Sequence, residues 1–163
     1  LARVLIVGCG CRGRALAEAL AADGHLVRGT SRTAAGAAAI ESAGVEAALA
    51  DPDRLGTLLP ALDGVGVVCW LMGSAEGSPE EVAALHGPRL QSLLERLVDS
   101  PCRGAVYEGG GTVAAALLEQ GAAIAAAVEA THRLPVRGVE ADPAGHEAWL
   151  AGMRSAVAGL LSA

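Results

Sequence analysis

Residues 4–32 open with Val4-Leu5-Ile6-Val7, turn through Gly8-Cys9-Gly10-Cys11-Arg12-Gly13, continue through an alanine-rich stretch to Asp23-Gly24, and finish a second apolar run at Gly29-Thr30-Ser31-Arg32. An unbroken apolar run ahead of glycine suits a strand buried on both faces, and the stretch after Gly13 has the length of a crossover helix. A GxGxxG pattern carries weight only in that setting, a turn leaving a strand and opening a helix. Each glycine then has its own task. Gly8 makes the tight turn, Gly10 lets the backbone approach a pyrophosphate, and Gly13 lets the helix pack on the sheet. The anion would rest on the unpaired N–H groups at the positive end of the helix dipole. Cys9, Cys11 and Arg12 complete the turn, so residues 8–13 are the expected cofactor-binding segment.

The end of the second strand separates two dinucleotides. NAD requires Asp or Glu there to accept hydrogen bonds from the ribose 2′-hydroxyl, whereas this chain places Thr30, Ser31 and Arg32. Arg32 can fork onto a 2′-phosphate with Ser31 and Thr33 adding hydroxyls, so NADP is expected ahead of NAD.

The rest of the sequence continues the alternation. Helices are expected over residues 33–43, from an Asp51-Pro52 start to residue 62, from a Ser78–Glu81 capping box to about residue 99 with Gly87-Pro88 kinking or splitting it, over 113–131, and from Asp142-Pro143 to about 161. Strands are expected at residues 45–50, 65–71, 102–107 and 134–141, the last at an edge because it holds Pro135 and Arg137. Trp149, Leu150, Met153, Val157 and Leu160 recur at helical spacing and should cover the sheet. The pattern predicts an α/β fold: a doubly wound, parallel, six-stranded Rossmann sheet of order 3-2-1-4-5-6 with helices on both faces. Its crevice should bring together the Gly8 turn and residues 72–74 and 108–112.

Composition bounds the function. The chain of 163 residues is 52% hydrophobic and fits one domain over residues 1–163. Its net charge of −6, with 12 thinly spread basic residues, gives no basis for binding nucleic acid. No uncharged run is long enough for a membrane span, and Arg3 is followed at once by a strand rather than a leader, so a cytoplasmic location is expected. Cys9, Cys11, Cys69 and Cys102 lack CxxC spacing and read as small buried residues, not as bridges or a metal site, with a redox role for Cys9 and Cys11 as the alternative. The alanine-rich helices offer small apolar faces, and a homo-oligomer is expected.

With these residues placed, the chain resembles the short-chain dehydrogenase/reductase superfamily, particularly its atypical extended members. The similarity lies in residues 4–13, 24–32, 50–52 and 106–113, and covers about residues 3–142. A weaker likeness, through Gly24, His25 and Val27, is to the nucleotide-binding half of β-hydroxyacid dehydrogenases. The main resemblance implies that Asp51 lies near the adenine and that Met72 and Gly73 lie near the cofactor ribose. It also puts the catalytic Ser or Thr of that superfamily at about Gly110, where no side chain exists, and its Tyr and Lys on a helix, residues 113–131, that has neither. All 12 basic residues are arginine, so a lysine cannot lower a tyrosine pKa in this chain. Extended members also carry a C-terminal portion over the substrate, and here one helix follows Asp142, leaving an open crevice unless a second subunit covers it.

The expectation that follows is an NADP(H)-binding protein of dehydrogenase ancestry without the usual catalytic triad, serving as a cofactor-sensing or regulatory module. Two alternatives stand beside it. One is an active NADPH-dependent oxidoreductase acting on an unidentified small molecule through Glu108, Tyr107 or His86; the other is a nucleotide-free interaction protein.

Overall fold

The computed structural model describes residues 2–162. Six parallel strands, β1 (Arg3–Val7), β2 (Leu26–Ser31), β3 (Glu46–Leu49), β4 (Val65–Trp70), β5 (Gly104–Glu108) and β6 (Val136–Val139), form one sheet in the order β3-β2-β1-β4-β5-β6. The expected topology is therefore observed, and β6 lies at the edge that Pro135 and Arg137 required. Between the strands run α1 (Cys11–Ala22), α2 (Ala34–Ser42), the single turn α3 (Leu55–Leu58), α4 (Pro79–Leu85), α5 (Pro88–Val98) and α6 (Ala115–His132), with α7 (His146–Ser162) closing the chain.

The period-2 alternation of strand side chains divides the core in two. Val4, Ile6, Cys69 and Val106 face α1, α2 and α7, while Leu5, Val7, Trp70 and Tyr107 face α5 and α6. Trp149, Met153, Val157 and Leu160 of α7 are buried in the first of these layers, as their spacing required. At Gly87-Pro88 the chain makes two helices rather than a kink, with Ser78 accepting the Glu81 N–H at 3.2 Å to cap α4.

Two helix starts differ from expectation, each through a short polar side chain bonding its own backbone. Asp51 does not cap a helix; its carboxylate accepts the Asp53 N–H at 2.9 Å in a local turn, and α3 begins only at Leu55. Asp142 does the same with Ala144 N–H at 2.9 Å, so α7 begins at His146. Strand β5 is displaced toward its carboxyl end and includes Glu108, which becomes a buried strand residue rather than a loop carboxylate.

Arg28 supplies a further anchor that hydropathy hides. It lies within β2 and is buried, yet its Nη1 donates to the Ala61 and Asp63 carbonyls at 2.6 and 3.1 Å, and its Nε lies 3.1 Å from Glu46 on edge strand β3. A buried guanidinium is tolerable when its donors are occupied in this way.

Candidate functional site

A cleft of about 350 Å³ opens at the carboxyl ends of β1 and β2. One wall is the turn of residues 8–14, a second is the end of β2 from Thr30 to Arg32, and the far wall is Leu71, Met72 and residues 74–76 with Glu81 and Leu85 of α4. The turn is held against β2 because Cys9 N–H donates to the Thr30 carbonyl at 3.1 Å, while Gly10 N–H donates to the Gly8 carbonyl at 2.9 Å. Those bonds leave the first-turn amides of α1, Cys11, Arg12 and Gly13, with no protein acceptor among the described residues, and Gly10 gives them no side-chain cap.

The three glycines of the turn sit as differently as their proposed tasks. Gly8 has φ +85°, and a Cβ there would lie 2.6 Å from the Leu71 carbonyl oxygen. Gly13 is closely packed, a Cβ there falling 3.2 Å from the Gly8 oxygen and 3.3 Å from Cys9 Sγ. Around Gly10 nothing lies within 4 Å of where a Cβ would be. Two glycines are thus spent on packing, and the third leaves an open approach to bare backbone beside a helix N-terminus, which is the cradle an anionic diphosphate requires.

At the β2 end Ser31 and Arg32 line the cleft, and no carboxylate stands on that wall. Ser31 Oγ accepts the Thr33 N–H at 3.2 Å and Thr33 Oγ1 accepts the Gly36 N–H at 3.0 Å, so the strand leads directly into a capped α2. Arg32 and Arg14 are not ion-paired among the described residues. Sequence reading missed Arg14; its signal was a basic residue one step past the last motif glycine. The acidic groups Asp51, Asp53, Glu76 and Glu81 collect on other parts of the wall, so the cleft is cationic near β2 and α1 and anionic opposite.

Cys11 departs from the buried role expected of the cysteines. It is exposed and lines the cleft at the first position of α1, while Cys9 and Cys69 are buried and Cys102 is half-buried. Burial pushes the Cys9 thiol up to about 11 and the Cys69 thiol up to about 12, which leaves little thiolate near neutrality. A limiting thiol reagent at pH 7.5 should therefore label Cys11 first, and Cys11→Ser should remove the fast phase; peptide mapping of the first label to another cysteine would contradict this exposure pattern.

The three side chains considered for catalysis, and Gly73, do not line the cleft. Tyr107 and Glu108 are adjacent in β5 and so point to opposite faces of the sheet. Glu108 is fully buried on the α1 and α7 side, where Oε1 accepts the Gly73 N–H at 2.8 Å and Oε2 accepts Trp149 Nε1–H at 2.9 Å. Arg12 Nη2 reaches both carboxylate oxygens, at 2.9 and 3.0 Å, and its guanidinium carbon lies 5.6 Å from the Trp149 ring centroid. Arg12 thus presents its amide to the cleft while its side chain is committed to the interior.

On the other face, His86 Nε2 lies 2.7 Å from the Met72 carbonyl and must donate to it, so in the neutral ring Nδ1 accepts from Tyr107 Oη, also at 2.7 Å. Burial lowers the His86 pKa and so favours this neutral form. Burial likewise raises that of Tyr107, with the Glu108 charge adding to it. Among the described residues no group of three or more His, Cys, Asp or Glu is placed to hold a metal ion, and no helix is long and apolar enough to cross a membrane.

No family model and no curated protein matches the sequence significantly. Solved structures do match by shape. A short-chain dehydrogenase/reductase superfamily protein from Agrobacterium tumefaciens with bound NAD superposes with TM-score 0.69 at 17% identity, over 85% of this chain and 48% of that one. UDP-glucose 4-epimerase from Brucella ovis in complex with NAD gives 0.71 at 15%, over 86% and 51%. Vestitone reductase from alfalfa, Medicago sativa, gives 0.67 at 13%, over 86% and 56%. The chain thus spans about half the length of these proteins, and at such identities the likeness is one of architecture: it has the Rossmann fold of short-chain dehydrogenase/reductase and epimerase structures.

Proposed function

We propose that this chain is a dinucleotide-binding module that takes NADP(H) in the cleft beside α1 and acts in cofactor sensing or regulation rather than through the superfamily's catalytic triad. The observation that carries the reading is the set of unpartnered first-turn amides of α1, reached through the open space at Gly10. A bound cofactor would bring hydride chemistry; what this chain supplies is a seat for it. The amides of Cys11, Arg12 and Gly13 would receive the diphosphate, with Arg14 adding positive charge at the same wall. Asp51, at the β3 side of the cleft, would lie near the adenine, and Met72 would form the wall behind the ribose.

The preference for NADP rests on the β2 end. Three of the matching structures contain NAD, but the residues here, Ser31 and Arg32 with no carboxylate, suit a phosphate better than a ribose hydroxyl. Calorimetry with both cofactors tests this: NADP should bind more tightly, and Arg32→Ala should weaken it about tenfold, one exposed charge-assisted contact, while NAD changes much less. Equal or tighter binding of NAD by the native chain would remove the NADP assignment, and no binding of either at millimolar concentration would remove the nucleotide reading. The oxidoreductase alternative draws less support, since Glu108, Tyr107 and His86 are all engaged in internal hydrogen bonds outside the cleft.

A further inference from the structure

A doubly wound sheet offers a dinucleotide two half-sites, one over the carboxyl ends of β1, β2 and β3 and one over those of β4, β5 and β6. In this chain the two halves are built differently. The cleft is lined by nothing beyond Leu85 in sequence, so β5, β6 and the segments following them contribute no wall. The ends of the second half are instead packed into one another.

That packing is backbone on backbone. A Cβ on Gly73 would collide with the Gly110 carbonyl oxygen, and one on Gly111 would collide with the Gly73 carbonyl oxygen. A Cβ on Gly110 would lie 2.6 Å from the Ala141 oxygen and 2.7 Å from that of Glu140, so the segments after β4, β5 and β6 meet with no room for a side chain. Hydrogen bonds fix them there: Val113 N–H to the Gly73 carbonyl at 3.0 Å, Gly109 N–H to the Val139 carbonyl at 2.8 Å, and Thr112 N–H to Ser74 Oγ at 3.3 Å. Beneath this layer the Arg12, Glu108 and Trp149 cluster fills the space between α1 and α7. Opening the second half-site would break these bonds and expose a buried ion pair, so a flexible loop is not what covers it.

We infer that the cleft recognises only the adenosine side of the cofactor, a 2′-phosphorylated or plain ADP-ribose moiety, and leaves the nicotinamide ring without a pocket. This rests on the nucleotide reading of the cleft and narrows it: a site that ignores the ring responds to the sum of oxidised and reduced cofactor and not to their ratio. It also accounts for the position matching the superfamily's catalytic hydroxyl being Gly110, inside a packed layer where a side chain has no space.

Calorimetry on the full chain with NADP, NADPH and 2′-phospho-ADP-ribose, which lacks only the nicotinamide ring, tests the inference, and NAD against ADP-ribose repeats it for the unphosphorylated pair. All members of a series should bind within about threefold of one another, and the reduced nicotinamide of bound NADPH should be quenched by iodide as readily as when free. If the dinucleotide binds more than about tenfold tighter than its ring-less counterpart, or the bound ring is shielded from iodide, the inference fails while nucleotide binding stands. If no compound in either series binds, the nucleotide reading itself fails.

Discussion

Glu108→Ala should destabilise the fold by about 3–5 kcal/mol, the usual cost of removing one partner from a buried ion pair. The carboxylate is fully buried and accepts from three donors on three different segments: Arg12 on α1, Gly73 after β4 and Trp149 on α7. Removing it strands a guanidinium that is mostly enclosed, together with an amide and an indole N–H. For a domain of this size the loss corresponds to a fall in Tm of roughly 10 °C or more. Glu108→Gln should be nearly as damaging, because its NH₂ group would face Arg12 or Trp149, both of which only donate. The Arg12→Met, Glu108→Leu double variant should be less damaged than Glu108→Leu alone, since removing both charges leaves no unpaired ion. Urea melts of the native chain, Arg12→Met, Glu108→Leu and the double variant measure the coupling. A Glu108→Gln variant that melts like the native chain would show that the carboxylate is not a structural anchor, and turnover lost with it would return the residue to a catalytic role.

This anchor marks the limit of what the sequence makes legible. The strand, glycine turn and helix at residues 4–22 are readable because buried parallel strands are continuously apolar and the turn needs glycine at fixed places; the sheet order follows from regular alternation. The cleft wall formed by residues 8–14 and 30–32 is equally readable, since Gly10, Ser31 and Arg32 are sequence-local features that follow β1 and end β2. Glu108 is not. Its environment is assembled from residues 12, 73 and 149, and a carboxylate beside a run of glycines looks like a loop acid until those segments are brought together. Tyr107 and His86 were hidden for the same reason, their hydrogen bond joining β5 to the end of α4 across 21 positions of sequence. Residues 108–112 are expected at the ligand crevice, yet Gly110 and Gly111 serve to let neighbouring backbones touch. Composition gives a glycine its freedom; only tertiary contacts say whether that freedom serves a ligand or a packing layer.

Gly10 supplies the cleanest separation of binding from folding. Its backbone is extended, with φ −83° and ψ −151°, and a methyl group there would meet no protein atom within 4 Å. Gly10→Ala should therefore fold normally, losing at most about 1 kcal/mol from a poorer helix N-cap. The same methyl would project into the space through which a diphosphate must approach the amides of Cys11, Arg12 and Gly13. Holding the anion off costs one or two hydrogen bonds to a charged group, about 1.5–3 kcal/mol each, so affinity should fall by about 100-fold. Gly8→Ala is the contrasting case: its φ of +85° and the Leu71 carbonyl oxygen 2.6 Å from the added Cβ put the damage into the fold, so its Tm should drop before any effect on binding can be read. Calorimetric titration of Gly10→Ala with NADP, beside a thermal melt of the same preparation, decides the matter. Native affinity in a protein with native Tm would mean that the diphosphate does not use this turn, whereas weak binding at unchanged Tm places the anion against the first turn of α1.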